Sequence, residues 1–140
     1  MDVLVKWAGN LTFVGHGLQN EHAIVMDGGK SEGGLGIGAS PMEMLLMGVG
    51  GCASIDIILI LKKARQKVDD CYVEVNGDRA QEIPKVFNSI HMNFVLTGRG
   101  VKRSQVERAV TLSMEKYCSA SLTLSKGLEI THTFEVRETE

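Results

Sequence analysis

The sequence carries no large excess of charge of either sign, because 15 lysines and arginines stand against 17 aspartates and glutamates, for a formal net charge of −2. Without a basic surplus, the composition does not favour nucleic acid as a partner. The first residues, MDVLVKW, lack the positively charged and apolar regions of a signal peptide, so we expect a cytoplasmic protein. There the three cysteines are expected to be reduced at rest, and any disulfide to be transient, catalytic or sensing.

Several motifs of cofactor and metal sites are also missing. No Cys-x-x-Cys pair and no Cys/His cluster at zinc spacing occurs, so we expect no structural metal. Gly29-Lys30-Ser31 resembles the end of a phosphate-binding loop, but the first glycine of that motif would fall at Ile24. The glycines at 34, 36 and 38 lack the spacing of a dinucleotide fingerprint. Nucleotide binding is therefore not expected.

What the sequence does contain is one long apolar stretch, Ser40 to Lys67. Ser40 and Glu43 form a capping box that predicts the start of a helix, and lysines and an arginine close the stretch. A helix apolar on all sides is buried on all sides, and this one approaches the length of a membrane span. Asp56 and three internal glycines favour a buried helix of a soluble protein instead. Because a chain of this size could hardly cover such a helix alone, we expect an oligomer.

Apolar periodicity predicts the other elements of a single domain over residues 1–140. Period-two alternation predicts strands, and a 3.6-residue period after a second capping box, Ser104 to Glu107, predicts an amphipathic helix. The expected strands are a hairpin turning at Gly9-Asn10 and segments 22–26, 68–77, 89–97 and 128–136. Three short strands, a long helix, two strands, a helix and a strand make an α+β pattern, in which we expect antiparallel pairing.

The three cysteines differ in their surroundings. Cys71 shares a strand face with two valines and is expected to be a small buried hydrophobe. The same structural interpretation applies to Cys52 in its apolar helix, whereas Cys118 follows a helix end, where we expect its thiol to be reachable. Asp56 lies one helical turn after Cys52, on the same face, and a buried carboxylate there needs a cation or a hydrogen-bond network.

Two cysteine contexts together resemble a known family. The segment PMEMLLMGVGGCAS on a long helix, followed some 66 residues later by KYCSAS, resembles the OsmC/Ohr family of osmotically inducible and organic hydroperoxide resistance proteins. The Gly-Cys-Ala-Ser-Ile-Asp version most resembles its YhfA-like branch. The resemblance covers the whole chain. It implies the OsmC-like fold: an N-terminal three-stranded antiparallel sheet, a long buried central helix, and a second α/β half. It also implies an intertwined homodimer.

The same resemblance implies a chemistry for two of the thiols. Cys52 would be the peroxidatic thiol, which a hydroperoxide converts to a sulfenic acid, and Cys118 the resolving thiol, which closes a disulfide. A dithiol reductant, lipoyl-type or thioredoxin-like, would reopen it. This cycle in oxidative-stress defence implies no metal or organic cofactor, no nucleic acid and no membrane.

The chain departs from the family pattern at the groups that support the thiolate. The active peroxidases use an arginine from the N-terminal half, whereas this chain has none before Arg65. Met42 occupies the place of the glutamate that orients that arginine, ten residues before Cys52, and Glu43 is the neighbouring candidate for a supporting role.

Asp56, the other candidate supporting residue, disfavours a thiolate at Cys52 by like-charge repulsion unless a cation lies between them. Lys30, His16 or His22 of a partner subunit are candidates for that cation. Two interpretations therefore stay open. One is a thiol-dependent peroxidase, and the other is a protein on the same scaffold that binds a small hydrophobic ligand or senses redox state without turnover.

Overall fold

A computed structural model describes all 140 residues and has the α+β architecture expected from the sequence. The chain divides into two compact units, residues 1–45 and 46–140. The strands are β1 (Val3–Trp7), β2 (Thr12–Gly17), β3 (His22–Asp27), β4 (Val68–Arg79), β5 (Phe87–Gly98) and β6 (Glu129–Glu138). The α-helices are α1 (Pro41–Lys63), α2 (Arg103–Leu112) and α3 (Ser119–Leu124).

The N-terminal unit contains the antiparallel sheet β1-β2-β3 that the alternation predicted. β1 ends at Trp7 and β2 begins at Thr12, so four residues separate the strands of the first hairpin, where the sequence led us to expect a two-residue turn. The Thr12 amide donates to the carbonyl of Gly9 and the Ala8 amide donates to the carbonyl of Thr12, so the chain reverses within residues 8–12. Gly9 and Asn10 both adopt positive φ there.

One buried carboxylate organises the glycine-rich segment after β3. Asp27 is 2% exposed, and its Oδ2 accepts hydrogen bonds from the amides of Leu35 at 3.1 Å and Ile37 at 3.2 Å. Its Oδ1 accepts from the Thr12 hydroxyl at 3.5 Å. The segment is therefore held around Asp27, although glycines alone would leave its backbone free.

The capping box at the start of α1 is confirmed. The Ser40 amide donates to Glu43 Oε2 at 2.7 Å, and the Glu43 amide donates to Ser40 Oγ at 3.2 Å. These hydrogen bonds, to the backbone first and then to the side chain of Ser40, lower the pKa of Glu43. Glu43 thus serves as a helix cap.

Within the chain, α1 is buried along one face only. The fully buried side chains follow a four-residue spacing, at Val49, Ala53, Ile57 and Leu61, and these face the rest of the C-terminal unit. Other apolar side chains of the helix are exposed, which differs from the helix buried on all sides that its composition led us to expect. The second face must meet something outside this chain if it is to leave water.

The helix also satisfies the length and composition criteria for crossing a membrane. Its most apolar window has a mean hydropathy of 2.2, and 28% of that window is buried inside the chain. Core helices of water-soluble proteins satisfy the same two criteria. Length and composition alone therefore do not place α1 in a membrane.

The C-terminal unit contains the sheet β4-β5-β6. The central strand β5 has its alternate side chains fully buried, as expected, at Ile90, Met92, Phe94 and Leu96. β4 pairs with it antiparallel, but β6 pairs with it parallel, so the expectation of antiparallel pairing throughout is wrong for the last strand. The helices between β5 and β6 carry the chain back across the sheet, and such a crossover is what parallel neighbours require.

The helical connection differs from expectation at both of its ends. α2 begins at Arg103 with Lys102 as N-cap and no side-chain cap, so the second capping box is wrong. A π-helical turn, Ser113–Tyr117, follows α2, and α3 after it was not foreseen. The apolar stripe that the 3.6-residue period predicts for this helix runs from Val106 to Tyr117. It is buried as far as Met114, but Tyr117 is 48% exposed, because the wider π turn shifts the helical phase.

Candidate functional site

The structure brings Cys52, Asp56 and Cys118 together. Their ligand atoms, two thiol sulfurs and one carboxylate oxygen, all lie within 4.8 Å of one another. We call these three residues the thiol cluster. Two of its members lie one turn apart on α1, and the third comes from the N-terminus of α3. The two cysteine contexts that carry the family resemblance therefore meet in space.

Hydrogen bonds hold the helical connection against α1 beside the cluster. The hydroxyl of Ser113, in the π turn, donates to the carbonyl of Ala53 at 3.0 Å, and both groups are buried. The Cys118 sulfur lies 4.0 Å from the carbonyl of Val49. These contacts fix the π turn and the residue that follows it next to the middle of α1.

Cys118 is fully buried, so the expectation that its thiol is reachable is wrong. It is the N-cap of α3, and its sulfur accepts a hydrogen bond from the Ser121 amide at 3.4 Å, which turns the side chain inward. Burial raises the pKa of the Cys118 thiol above its usual value, and the neighbouring Cys52 raises it further, against the lowering by the Ser121 hydrogen bonds. Cys52 is only half-buried.

Asp56 also lines a cavity of about 370 Å³ in the C-terminal unit. The one ion pair closer than 4.0 Å in the chain joins Arg137 and Glu135, so no basic nitrogen lies that close to the Asp56 carboxylate. Two cations nevertheless line the same cavity, Lys63 and Arg108. The remaining lining residues are Leu59, Ile60, Ala64, Leu112 and Tyr117.

Arg108 and Lys63 were missed as site residues. In the family the arginine lies in the N-terminal half, and Lys30, His16 or His22 of a partner subunit were the other candidates for the cation. Arg108 stands on the polar side of the amphipathic α2, where an arginine ordinarily faces water. Only the packing of α2 beside α1 brings it to the cavity that Asp56 lines, so no local signal identifies it.

The other candidates lie outside the cluster. Glu43 caps α1 nine residues before Cys52 and makes its hydrogen bonds to Ser40. Cys71 is half-buried on β4, where burial raises the pKa of its thiol and the Asp70 charge raises it further. Neither residue contributes a ligand atom to the group formed by the other two cysteines and Asp56.

Comparison with known proteins shows the family of the chain. Residues 31–133 match the family model described as OsmC-like protein. The chain belongs to the OsmC family. It is 46% identical over 136 residues to protein YhfA of Escherichia coli strain K12, which covers 97% of this chain and 98% of that protein. The resemblance to the YhfA-like branch of the OsmC family is therefore confirmed.

Solved structures of OsmC-like shape are similar along nearly the whole chain. A hypothetical protein from Aquifex aeolicus VF5 superimposes with a TM-score of 0.85 at 32% identity, covering 99% of this chain and 97% of that one. An organic hydroperoxide resistance protein OsmC from Legionella pneumophila superimposes with a TM-score of 0.68 at 13% identity, covering 96% and 97%. The second likeness shows a shared fold.

Proposed function

We propose that this OsmC-family protein reduces organic hydroperoxides or hydrogen peroxide through the Cys52–Cys118 pair, in defence against oxidative stress. The observation that carries the proposal is the separation of the two sulfurs, which is no more than 4.8 Å. A disulfide has an S–S bond of about 2.05 Å, so the sulfurs need to approach by less than about 3 Å. The pairing thus requires a local adjustment and leaves the fold in place.

Burial supports a division of roles between the two thiols. Half-buried Cys52 is the one that solvent reaches, and its thiolate attacks the peroxide oxygen, breaking the O–O bond. The displaced alkoxide takes a proton and leaves as the alcohol, and Cys52 becomes a sulfenic acid. Buried Cys118 then attacks the sulfenic sulfur, water leaves, and the disulfide forms. A lipoyl-type or thioredoxin-like dithiol reduces it again and is itself oxidised.

The cavity offers a substitute for the family's arginine. Arg108 and Lys63 line the space beside Asp56, and either cation weakens the repulsion between that carboxylate and a thiolate at Cys52. In this proposal the supporting charge comes from the same chain. A partner's Lys30, His16 or His22 remains the alternative source.

The test is a thiol count before and after one equivalent of tert-butyl hydroperoxide. We expect two thiols lost per chain and a Cys52–Cys118 disulfide peptide under non-reducing mass spectrometry. Cys71→Ser is the matched control and should still lose two thiols. Cys118→Ser should stop at a sulfenic acid on Cys52, which dimedone traps. Unchanged thiols in the wild type, or loss of the reaction in Cys71→Ser, would contradict the proposal.

A second function is favoured by the walls of the same cavity. Leu59, Ile60 and Leu112 give it an apolar lining next to two cations, as a small amphipathic ligand would need. A binding protein would leave the thiol count unchanged after peroxide, yet would bind an environment-sensitive apolar dye. A redox sensor would lose its thiols once, without consuming further peroxide. Leu112→Arg should weaken that binding, because it places a third cation against the apolar wall.

We further propose that the protein acts as a cytoplasmic homodimer, without nucleic acid or membrane as a partner. Large apolar side chains are exposed in both units, among them Trp7 at 63% and Ile55 at 64%. A second copy that covers these surfaces would remove them from water. The family resemblance implies the same assembly.

A further inference from the structure

We propose that the thiol cluster, in its reduced state, binds one thiophilic divalent cation, with Zn²⁺ as the ion whose preferences it fits. The ligands are the sulfurs of Cys52 and Cys118 and one carboxylate oxygen of Asp56. This binding is a property of the reduced site and does not depend on peroxide reduction.

The distances suit such an ion. In tetrahedral zinc sites the metal lies about 2.3 Å from sulfur and about 2.0–2.2 Å from a carboxylate oxygen, so neighbouring ligand atoms stand roughly 3.3–3.8 Å apart. All three ligand atoms here already lie within 4.8 Å of one another. The cluster therefore needs to contract by roughly 1–1.5 Å at most, which rotation of the half-buried Cys52 and Asp56 side chains can supply.

The kind of ligand determines the kind of ion. Two thiolates select soft or borderline ions such as Zn²⁺ over Ca²⁺ and Mg²⁺, which prefer oxygen. Three protein ligands leave a fourth position open, as in zinc sites that hold water or exchange their ligand. Asp56 also lines the 370 Å³ cavity, which gives that fourth position access to solvent.

The surroundings leave the ligands available. No basic nitrogen lies within 4.0 Å of the Asp56 carboxylate, so no ion pair has to break before it binds a cation. The Ser121 amide donates to the Cys118 sulfur at 3.4 Å, the kind of supporting hydrogen bond that orients metal ligands. Ser113, bonded to the Ala53 carbonyl, holds the π turn that carries Cys118 against α1.

Binding involves no redox change. Each thiol gives up its proton to solvent, and two sulfur–metal bonds and one oxygen–metal bond form. The same sulfurs cannot bind the ion as thiolates and be joined in a disulfide. Occupied and disulfide-bonded sites therefore exclude each other, and a bound ion is expected to protect the two thiols from oxidation.

The experiment uses the full-length protein, reduced and stripped of metal by a chelator. Zn²⁺ is added in competition with a chromophoric chelator, and Co²⁺ in a parallel titration reports thiolate ligation through its near-ultraviolet charge-transfer absorption. We expect one ion per chain. Cys71→Ser should bind equally, whereas Cys52→Ser and Asp56→Asn should each bind at least about tenfold more weakly.

The variants keep the result decisive. Because Cys118 is fully buried and its serine variant could misfold, Asp56→Asn, which retains all three thiols, tests the site independently. Binding that is absent, that lacks the Co²⁺ thiolate band, or that persists unchanged in Asp56→Asn and Cys52→Ser would overturn the proposal. So would its loss in Cys71→Ser. The peroxide titration is done without metal, so its result tests the proposed peroxide reduction independently of metal binding.

Discussion

Cys52 and Cys118 lie within 4.8 Å of each other yet differ in how far solvent reaches them. Cys52 is half-buried on α1, and Cys118 is enclosed at the start of α3. In a cycle that begins with attack on a peroxide, the accessible thiol must react first. The enclosed thiol, Cys118, is suited to react second, with a sulfenic acid formed on Cys52. Asp56 adds a carboxylate beside this pair. Arg108 lines the same cavity as Asp56 and carries the opposite charge, which would offset that carboxylate.

Two thiols whose pKa is raised by burial, Cys118 and Cys71, give a prediction for the pH dependence of stability. Burial raises the pKa of both Cys118 and Cys71 in the folded chain. Below the pKa of a cysteine in the unfolded chain, about 8.5, the folded and the unfolded states both hold these protons, so their contribution to the free energy of unfolding is fully present. As pH rises further, the unfolded chain releases them first, so the free energy of unfolding falls. Urea unfolding of the reduced protein at about pH 7 and about pH 10 measures the difference.

Cys71→Ser serves as the matched variant in that measurement. It removes one of the two thiols and should therefore show a smaller loss of stability between the two pH values. An identical loss in the variant and the wild type would mean that other groups cause the alkaline dependence.

At the scale of elements, the three glycines of α1 have different roles. A Cβ at Gly50 would lie 2.9 Å from Val75 Cγ2 and 3.1 Å from Val73 Cγ1, so Gly50 lets the helix approach β4 closely. A Cβ at Gly48 or Gly51 would meet no atom of the chain within 4 Å. The packing of α1 on its own sheet thus explains one glycine only.

We predict that Gly50→Ala lowers the free energy of unfolding by about 1–3 kcal/mol, because the added methyl overpacks the contact with β4. Gly51→Ala is the control on the same helix, and within the chain it should be neutral or gain up to about 1 kcal/mol of helix propensity. Chemical denaturation of both variants gives the comparison. Equal effects would argue against the close approach at Gly50, and subunit dissociation in Gly51→Ala would place that face in a dimer contact.

At the scale of the whole molecule, the main feature is an apolar surface that the single chain leaves exposed to water. On α1, Met47, Ile55 and Leu59 are each at least half exposed. In the N-terminal sheet, Val3, Val5 and Trp7 are too. Three short strands with an exposed apolar face have little stability of their own in water.

We therefore predict a dimer, with a mass by light scattering of twice the 15.2 kDa chain at micromolar concentration. Ile55→Glu should yield monomers or lose solubility, because it puts a charge on the open face of α1. Ile83→Glu is the control, since Ile83 is 90% exposed in the loop before β5. A monomeric wild type, or equal behaviour of the two variants, would contradict the assembly.

Local patterns in the sequence determined much of this molecule. The capping box at Ser40 and Glu43 depends on groups three residues apart, so the residues alone specify it. The buried alternation of β5 follows in the same way from a period of two. The segments around Cys52 and Cys118 were enough to identify the family. Even the one wrong hairpin turn, at Gly9 and Asn10, was placed correctly along the chain.

Tertiary packing decided the rest, because it joins residues that no local pattern relates. The π turn after α2 changed the helical phase, exposed Tyr117 and enclosed Cys118 at the start of α3. The crossover that contains these turns made β6 parallel to β5. Arg108 lines the cavity beside Asp56 because α2 packs beside α1, and no local pattern in the sequence shows that packing. The sequence named all three residues of the thiol cluster and placed Asp56 one helical turn from Cys52, but only the fold brought the Cys118 sulfur within 4.8 Å of both.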